Sequence, residues 1–520
     1  MESPPSAAAL VSQARVLLTL AVLAFYFYLK IVVYGVWRRR GIEHDEPSIP
    51  LGNLPISYFI GDTTLGSVVK ASYEKHKKQR FYGIYLLNLP VLVINDPELI
   101  QLVLVKNFNN FYNRGTLYNE SKDPLSTGIV RLYDEKWKRL REKLSPLFTS
   151  KKLKLMLPLV QEICEEMIKV FDDALIESNV LEIKALVTRF TIDCISSIAF
   201  GFNADSLHEP DSEFLKNGQI SNSFGRIFLL ISFFNTELAP LYPLPKDRKQ
   251  VETFFVDLYE KMVSHRKQNN IKRPDFLNMI MQLVDYGTIQ EDSESKSAPS
   301  GYAPKITVAD KLTDTEAIGQ IMIFFAAGQE TTSAAITNCL YELALNQEVQ
   351  ETLYREIREV NDSPEGLTYD KLFDMPYLDM TFQETLRKHP GTPVLNRQCS
   401  QDFQIPGSDF CIKKGSKLII PTIGLHMDPD IYPEPEIFDP TRFSNENKVK
   451  RKNCTHLPFG DGPRHCIGKR LGTLKPKTAI YYLILNYKFM ASDKTPRPMT
   501  YLPGYFVQVP VDTYLKVEKR

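Results

Sequence analysis

The stretch Pro458-Phe459-Gly460-Asp461-Gly462-Pro463-Arg464-His465-Cys466-Ile467-Gly468 surrounds one thiol with glycine, proline and an arginine. Glycine permits a tight loop and a close approach of the backbone, and proline stiffens that loop. Backbone amides and the N-terminus of a following helix both stabilise a thiolate. An isolated cysteine is usually a small buried hydrophobe. This setting instead favours a thiolate held at one position as a metal ligand.

The composition of the chain is that of a large globular protein. It has 520 residues, of which 43% are hydrophobic, and its 63 basic side chains balance 62 acidic ones. The near-zero net charge gives no reason to expect nucleic-acid binding. The seven cysteines are widely spaced and include no Cys-x-x-Cys pair. A zinc or iron–sulfur framework is therefore not indicated.

An apolar run near the amino terminus predicts a membrane anchor. Val16 to Leu29 is 14 residues without a charge, and the apolar character resumes past Lys30 until Arg38-Arg39-Arg40. The 22 residues from Val16 to Trp37 are enough for a helix to span a bilayer, which takes about 20. A cleaved signal peptide, the alternative, carries its basic end before the apolar run and a small-residue cleavage site after it. We therefore expect a retained single span, with the arginines and the body on the cytosolic side.

The chain divides by pattern into three parts. These are an anchor with its basic stop at 1–40, a proline-containing hinge at 41–55 and one large domain at 56–520. The large domain is mostly helical in pattern with short strand-like runs, so we expect a mainly α fold with small β-sheets. Phe81 to Ile94 predicts a β-hairpin. The polar segment from Gly287 to Lys305 carries no core-forming residues.

The longest predicted helix carries an acid and hydroxyls at its centre. The capping box Thr313-Asp314-Thr315-Glu316 begins it, and no proline follows up to about Asn346. Ala327-Gly328 leaves a flat place where another group can approach the backbone, and Glu330 and Thr331 come next. Simple helix packing, with Glu330 facing water, is one explanation. A relay that passes protons from the carboxylate to the hydroxyl is the other.

Two further pairs each lie on one helix face. Glu384 and Arg387 are three residues apart, and Trp137 and Arg141 are four apart, so the members of each pair can touch. A surface ion pair would be worth about 0–1 kcal/mol, and helices contain many such pairs. The Glu384–Arg387 pair is therefore a weak signal in isolation.

Together these segments resemble the cytochrome P-450 family, over essentially the whole chain. The cysteine stretch fills every fixed position of its pattern Phe-Gly-x-Gly-x-Arg-x-Cys-x-Gly, and the helix centre matches Ala-Gly-x-(Asp/Glu)-Thr. The resemblance implies heme b between the long central helix and the helix after the cysteine loop. Cys466 would be the axial thiolate, a ligation that favours O–O cleavage. Thr331 would hold water or dioxygen, and Glu330 would feed protons toward it.

The resemblance also implies roles for residues elsewhere in the chain. Those that bind the cofactor would be Trp137, Arg141, Arg464 and Arg397 at the propionates, with Phe459, Gly460 and Gly468 in the loop. Arg442, in Asp439-Pro440-Thr441-Arg442-Phe443, would complete a structural triad with Glu384 and Arg387. Pro476 departs from the family pattern and should kink the following helix or end it early. The substrate pocket would be lined by 113–132, 222–240, Phe324-Phe325, Val394-Leu395 and the tip near Phe506.

Phrases such as Phe-Gly-Asp-Gly-Pro-Arg resemble insect microsomal members that oxidise foreign compounds. This resemblance implies a monooxygenase of the endoplasmic reticulum membrane, with its catalytic domain on the cytosolic face. It would insert one oxygen atom of O2 into a lipophilic small molecule, such as a plant toxin or an insecticide. Oxidation of an endogenous lipid or hormone is an alternative. A peroxide-rearranging enzyme and a non-catalytic carrier of haem or lipophiles are others, and the Glu330–Thr331 pair argues against the first.

Electrons would come from NADPH through a cytochrome reductase, because no nucleotide-binding glycine motif is present; cytochrome b5 is a second candidate donor. Charge runs usually form a solvated face, but here they also predict a docking surface for an acidic reductase. The basic residues concerned are Lys448, Lys450, Arg451, Lys452, Lys469, Arg470, Lys475 and Lys477, with Lys136, Lys138, Arg139 and Lys143.

Overall fold

The computed structural model describes residues 7–223, 225–273, 275–289 and 311–520. Most of the polar segment Gly287 to Lys305 lies outside these ranges. The described part is mainly helical with small sheets, which confirms the predicted fold class. The α-helices, numbered in chain order, are α1 Ala7–Phe27, α2 Val36–Arg39, α3 Ile56–Ile60, α4 Leu65–His76, α5 Pro97–Gln101, α6 Asp134–Leu144, α7 Ser150–Glu177, α8 Ile183–Ile195, α9 Glu213–Asn222, α10 Arg226–Phe233, α11 Lys246–Gln268, α12 Phe276–Asp285, α13 Asp314–Leu345, α14 Gln347–Asn361, α15 Tyr369–Asp374, α16 Pro376–Lys388, α17 Thr422–His426, α18 Asn445–Lys450 and α19 Leu471–Asn486.

The strands form small sheets. They are β1 Phe81–Leu86, β2 Leu89–Ile94, β3 Val180–Glu182, β4 Leu395–Gln398, β5 Phe403–Gln404, β6 Cys411–Ile412, β7 Lys417–Ile420, β8 Tyr487–Ala491, β9 Thr500–Tyr501, β10 Pro510–Val511 and β11 Tyr514–Lys519. The largest sheet has the order β1-β2-β7-β4, in which β2 and β7 are parallel and the other pairs antiparallel. The predicted hairpin is confirmed, since β1 pairs with β2 from Phe81↔Ile94 to Leu86↔Leu89.

The long helix α13 lies at the centre of the body. The predicted capping box is present: Thr313 accepts from the backbone of Glu316, whose side chain accepts from the backbone N–H of Thr313. The first part of α13, to Ala326, packs in one hydrophobic core with α6, α11 and α12. Its last part, from Ala335, packs in another with α7, α8, α16 and α19. The middle of α13 lies between these two cores, where a cavity can form.

The amino-terminal helix is apolar and stands away from the body. The most apolar 18-residue window within Ser12–Val33 has a mean hydropathy of 2.3, and only 6% of it is buried, so this stretch is a candidate membrane span. The predicted span ended at Trp37, but Trp37 is buried in the body. Its indole N–H donates to the Ile84 carbonyl at 3.1 Å, and the Tyr34 hydroxyl donates to the Pro50 carbonyl at 2.8 Å. The end of the apolar run is thus packed against β1, the edge strand of the largest sheet.

The segment 41–55, which we predicted as a hinge, is fixed to that same sheet. The backbone N–H of Gly83 donates to the Glu43 carbonyl at 2.8 Å, and that of Asn53 to the Tyr85 carbonyl at 2.8 Å. The Asp45 carboxylate accepts from the Ser72 hydroxyl at 2.5 Å. This segment therefore does not act as a free joint in the structure, and the division into domains stays a prediction.

Pro476 does not end the helix that follows the cysteine loop, so that part of the prediction is wrong. Proline within a helix removes one hydrogen bond and crowds the preceding turn. Nevertheless α19 continues for ten residues beyond Pro476, to Asn486. Leu474, Ile480 and Ile484 are fully buried in the core shared with α7 and α13. Packing of this apolar helix offsets the lost bond.

Candidate functional site

A cavity of about 360 Å³ lies beside the middle of α13, between that helix and the cysteine loop. Its walls come from the segment before α6, from α6 itself, from β4 and from the start of α19. The predicted site residues that line it are Trp137, Arg141, Thr331, Arg397, Phe459, Gly460, Arg464, Cys466 and Gly468. The predicted residues Glu330, Glu384, Arg387 and Arg442 do not line it.

The cysteine loop is folded tightly enough to fix the thiol. The Cys466 N–H donates to the Phe459 carbonyl at 2.8 Å, which closes the loop on itself. Gly460 and Gly462 both have a φ of 69°, a conformation that favours glycine. A side chain at Gly462 would also collide with the Leu104 carbonyl. Of the seven cysteines, all of them in the described ranges, Cys466 alone is exposed, and what it faces is the cavity.

Two opposing effects act on the pKa of the Cys466 thiol. Loss of solvent raises the pKa of this thiol, while the N–H of Gly468 and the charges of Arg114, Arg141 and Lys469 lower it. Donors and cations stabilise a thiolate, the form in which cysteine binds a metal. Loss of solvent is the largest of these effects, so the pKa of the Cys466 thiol lies above its usual value, and the donors and cations limit that rise.

Four buried or half-buried arginines form a cluster at the same end of the cavity. The guanidinium of Arg464 lies 4.1 Å from the ring centroid of Trp137 and donates to the Tyr112 and Leu132 carbonyls. Arg141 donates to the His465 carbonyl at 3.0 Å, and Arg114 to the Arg464 carbonyl at 3.2 Å. Sequence analysis missed Arg114, because it stands in no motif that we considered.

The cluster is built to receive an anion. Burial and then the charges of Arg114, Arg397 and Arg141 lower the pKa of Arg464. No salt bridge to these four arginines is found within the described ranges. Arg464 Nη1 and Arg397 Nε are buried without a hydrogen-bond partner there. Buried donors without acceptors are costly, so carboxylates placed here would be strongly favoured. The two propionates of a haem fit that requirement.

The Glu330 and Thr331 side chains lie in different surroundings. The Thr331 hydroxyl donates to the Ala327 carbonyl at 2.7 Å, within the cavity wall. The Glu330 carboxylate is 3% exposed and accepts from Lys184 Nζ on α8 at 2.6 Å. Lys184 Nζ also donates to the Ser333 and Thr188 hydroxyls, at 2.8 and 2.9 Å. The structure thus places the hydroxyl in the cavity and the carboxylate behind it, and the relay stays a prediction.

The Glu384–Arg387 pair is buried rather than exposed. Both side chains have no exposed surface, and Arg387 donates to both carboxylate oxygens, at 2.7 and 2.8 Å. Arg387 also donates to the His426 and Pro435 carbonyls. Arg442 joins them, with its Nε 3.5 Å from the Glu384 carboxylate. The predicted triad therefore assembles outside the cavity lining, although Leu386, next to Arg387, belongs to that lining.

Two lysines predicted for the docking surface are buried, so their inclusion was wrong. Lys475 and Lys477 are each 1% exposed. Lys475 Nζ donates to the Gly328 carbonyl at 2.7 Å, and Lys477 Nζ lies 2.7 Å from the Asp379 carboxylate. Both point into the body because they lie on the packed faces of α19. The exposed members of the predicted set are Lys136, Lys138, Lys448, Lys450, Lys452, Lys469 and Arg470.

The apolar part of the cavity includes most of the predicted pocket segments. Phe233, Phe324, Val394, Leu395 and Phe506 all line it. Phe233 stacks on Phe506 with ring centroids 4.2 Å apart. Phe325, by contrast, is fully buried in the core on the other side of α13.

A thiolate loop, an anion-binding arginine cluster and an apolar cavity define a haem-thiolate protein. The family model described as Cytochrome P-450 matches residues 51–517. The chain is 37% identical to the protein named Probable cytochrome P-450 6a23 of Drosophila melanogaster, over 94% of this chain and 95% of that one. It is also 37% identical to cytochrome P-450 6A1 of Musca domestica, over 96% of both chains. The chain therefore belongs to the cytochrome P-450 family of monooxygenases.

Proposed function

We propose that this protein is a reductase-dependent monooxygenase that inserts one oxygen atom of O2 into lipophilic foreign compounds, such as plant toxins or insecticides. The observation that supports it best is the opening of Cys466 into an apolar cavity whose wall also carries the Thr331 hydroxyl. Haem, when bound, supplies the iron at which dioxygen is activated. Insect relatives with the same family name support a monooxygenase of this type.

The residues of this chain would divide the work among them. Cys466 would provide the thiolate ligand of the haem iron, and Arg114, Arg141, Arg397 and Arg464 would hold the propionates. The Thr331 hydroxyl would orient water and pass a proton from it into the cavity. Glu330, held by Lys184 at 2.6 Å, would need to exchange that partner to donate a proton toward Thr331. Apolar walls would exclude bulk water and select lipophilic substrates.

The setting proposed for the enzyme is the endoplasmic reticulum membrane. The apolar helix over Ser12–Val33 would span the bilayer, and Arg38-Arg39-Arg40 would stay on the cytosolic side with the body. NADPH would deliver electrons through a reductase, with cytochrome b5 as a second candidate donor. The reductase would dock on the exposed basic residues, which lie on α6, on α18 and next to the cysteine loop.

The test uses purified haem-loaded protein with reductase, NADPH and isotopically labelled dioxygen. We expect label in the product of at least one compound from a lipophilic panel, and loss of that product in Cys466→Ser. Cys411→Ser, at a half-buried cysteine that does not line the cavity, is the matched control and should keep activity. Products without label from dioxygen, or a Cys466→Ser variant with full turnover, would refute the proposal.

A further inference from the structure

A buried carboxylate near the carboxyl end of α13 has no role in the function proposed above. Glu342 is 2% exposed, and its Oε1 atom lies 2.6 Å from Nε2 of His389 and 3.0 Å from Nζ of Lys388. Burying a carboxylate is costly unless it is paired, so these two partners at the end of α16 offset that cost. Neither Glu342 nor His389 belongs to the cavity wall.

His389 also bonds to a third residue, Tyr501 on β9. Its other ring nitrogen, Nδ1, is hydrogen-bonded to the Tyr501 hydroxyl. A carboxylate only accepts, so Nε2 carries the proton and donates it to Glu342. In the neutral ring Nδ1 is then the acceptor, and the Tyr501 hydroxyl donates to it. Tyr501, His389 and Glu342 thus form an imidazole bridge between β9 and α13.

The imidazole bridge lies at the start of two segments that line the cavity. His389 is the C-cap of α16, and the segment 391–395 directly after it contributes to the cavity wall. Tyr501 pairs with Pro510 at the base of the β9–β10 hairpin, and residues 506–507, between these strands, also line the cavity. The bridge therefore ties the beginnings of both segments to each other and to α13.

Further contacts hold the outer part of the hairpin. The backbone N–H of Gln508 donates to the Gly391 carbonyl at 2.9 Å, which joins the two segments a second time. The ring of Phe506 stacks on Phe233 of α10, with an angle of 9° between the ring planes. Both rings line the cavity. The position of the hairpin base thus bears on an aromatic pair in the apolar wall.

We propose that His389 is a positioning residue for substrate selectivity, because it holds the 391–395 segment and the β9–β10 hairpin in one arrangement. The inference rests on the proposed monooxygenase function, since the ligand of this wall is the substrate of that enzyme. A wall that is fixed before binding costs a ligand less ordering than a wall that the ligand itself must fix. The three side chains of the bridge do not line the cavity, so they act on a ligand through the two segments.

The experiment uses purified haem-loaded protein and two azoles, 1-methylimidazole and 1-dodecylimidazole. They share the ring that ligates haem iron and differ only in the alkyl chain, so the ratio of their dissociation constants reports contacts with the apolar wall. Both constants are measured from the shift of the haem absorption band. Tyr501→Phe removes one oxygen atom and its bond to His389, and should lower the preference for the dodecyl compound about 3- to 10-fold. An unchanged or increased preference would overturn the inference.

Two variants of His389 test whether its hydrogen bonds matter. His389→Gln keeps a donor and an acceptor, so its ratio of dissociation constants should stay within about two-fold of wild type. His389→Phe has neither group and should show the same loss of preference as Tyr501→Phe. In both variants Lys388 still pairs with Glu342, so the carboxylate keeps a partner. Equal ratios in His389→Gln and His389→Phe would reject the bridge as the origin of the effect.

The control is Tyr487→Phe, which removes a different hydroxyl of the same kind. Tyr487 lies on β8 outside the cavity wall, and its hydroxyl donates to the Asp172 carboxylate at 2.7 Å. This variant should lower the melting temperature and leave the ratio of the two dissociation constants unchanged. A changed ratio in Tyr487→Phe would show that lost stability alone alters the wall, and would reject the positioning role.

The outcomes separate this inference from the proposed function. Azole binding needs neither reductase nor dioxygen, so a protein that yields no labelled product would still show whether His389 positions the wall. Labelled product together with an unchanged ratio in Tyr501→Phe would leave the monooxygenase standing and reject the positioning role. If His389→Phe does not fold, Tyr501→Phe, which lacks only a single oxygen atom, decides the matter.

Discussion

Replacement of Arg387 by alanine should destabilise the protein far more than removal of an equivalent surface arginine. In the wild type, Arg387 makes two bonds to Glu384 and donates to the His426 and Pro435 carbonyls, and it has no exposed surface. Arg387→Ala leaves the Glu384 carboxylate buried; its remaining partners among the described residues are the Asp439 N–H at 3.0 Å and Arg442 at 3.5 Å.

The magnitude follows from the loss of one partner of a buried pair. Such a loss costs about 3–5 kcal/mol, because the remaining charge is uncompensated. Two carbonyls also lose their donor, while Arg442 retains part of the compensation, so we expect about 4 kcal/mol. This corresponds to a decrease of roughly a thousand-fold in the ratio of folded to unfolded protein.

The assay is equilibrium unfolding of haem-loaded protein in guanidinium, followed by far-ultraviolet circular dichroism. The matched control is Arg358→Ala, because the side chains of Arg358 and its partner Asp362 are 63% and 62% exposed. This exposed pair should contribute less than about 1 kcal/mol to the free energy of unfolding. A double variant, Glu384→Gln with Arg387→Met, removes both charges and should recover stability relative to Arg387→Ala. The reasoning fails if the free energy of unfolding of Arg387→Ala is within about 1 kcal/mol of that of the control. It also fails if the double variant is no more stable than Arg387→Ala.

Two other predictions concern lysines. Burial lowers the pKa of Lys475 from 10.5 to about 8, so its cost to stability is fully present below pH 8 and shrinks as pH rises toward 10.5. Lys475→Met should therefore raise the free energy of unfolding at pH 7 by up to roughly 3 kcal/mol, and by less at pH 9.5. The control is Lys450→Met, at an exposed side chain. An equal gain in the free energy of unfolding at both pH values would contradict this prediction. Replacing Lys448, Lys450, Lys452 and Lys469 by glutamine should lower reductase-driven turnover about ten-fold and spare peroxide-driven turnover, with Lys169→Gln on α7 as control; an equal loss in both assays would exclude docking.

The features that sequence predicted well depend on neighbours in the chain. The capping box at Thr313, the hairpin from Phe81 and the cysteine loop each fix their own backbone with residues only a few positions apart. Local geometry of this kind is set by glycine, proline and side-chain caps. The class of fold and the residue that would bind haem could therefore both be predicted from the order of the amino acids.

The features that sequence missed depend on partners far away in the chain. In the sequence, Lys475 and Lys477 belong to a run of basic residues. Their partners, Gly328 for Lys475 and Asp379 for Lys477, lie about a hundred residues or more earlier in the chain. The pairing of Glu330 with Lys184 spans 146 residues. Tertiary packing decides these contacts, and a single sequence does not reveal it.

The junction between the apolar helix and the body has a mechanical consequence. Trp37 and Tyr34 are locked onto the first hairpin, and Arg39 donates to the Val32 carbonyl at 2.7 Å. The apolar helix is thus joined to the body by an ordered connection and not by a flexible linker, which would let the body reorient freely. When such a helix spans a bilayer, its tilt sets the orientation of the whole body relative to the membrane.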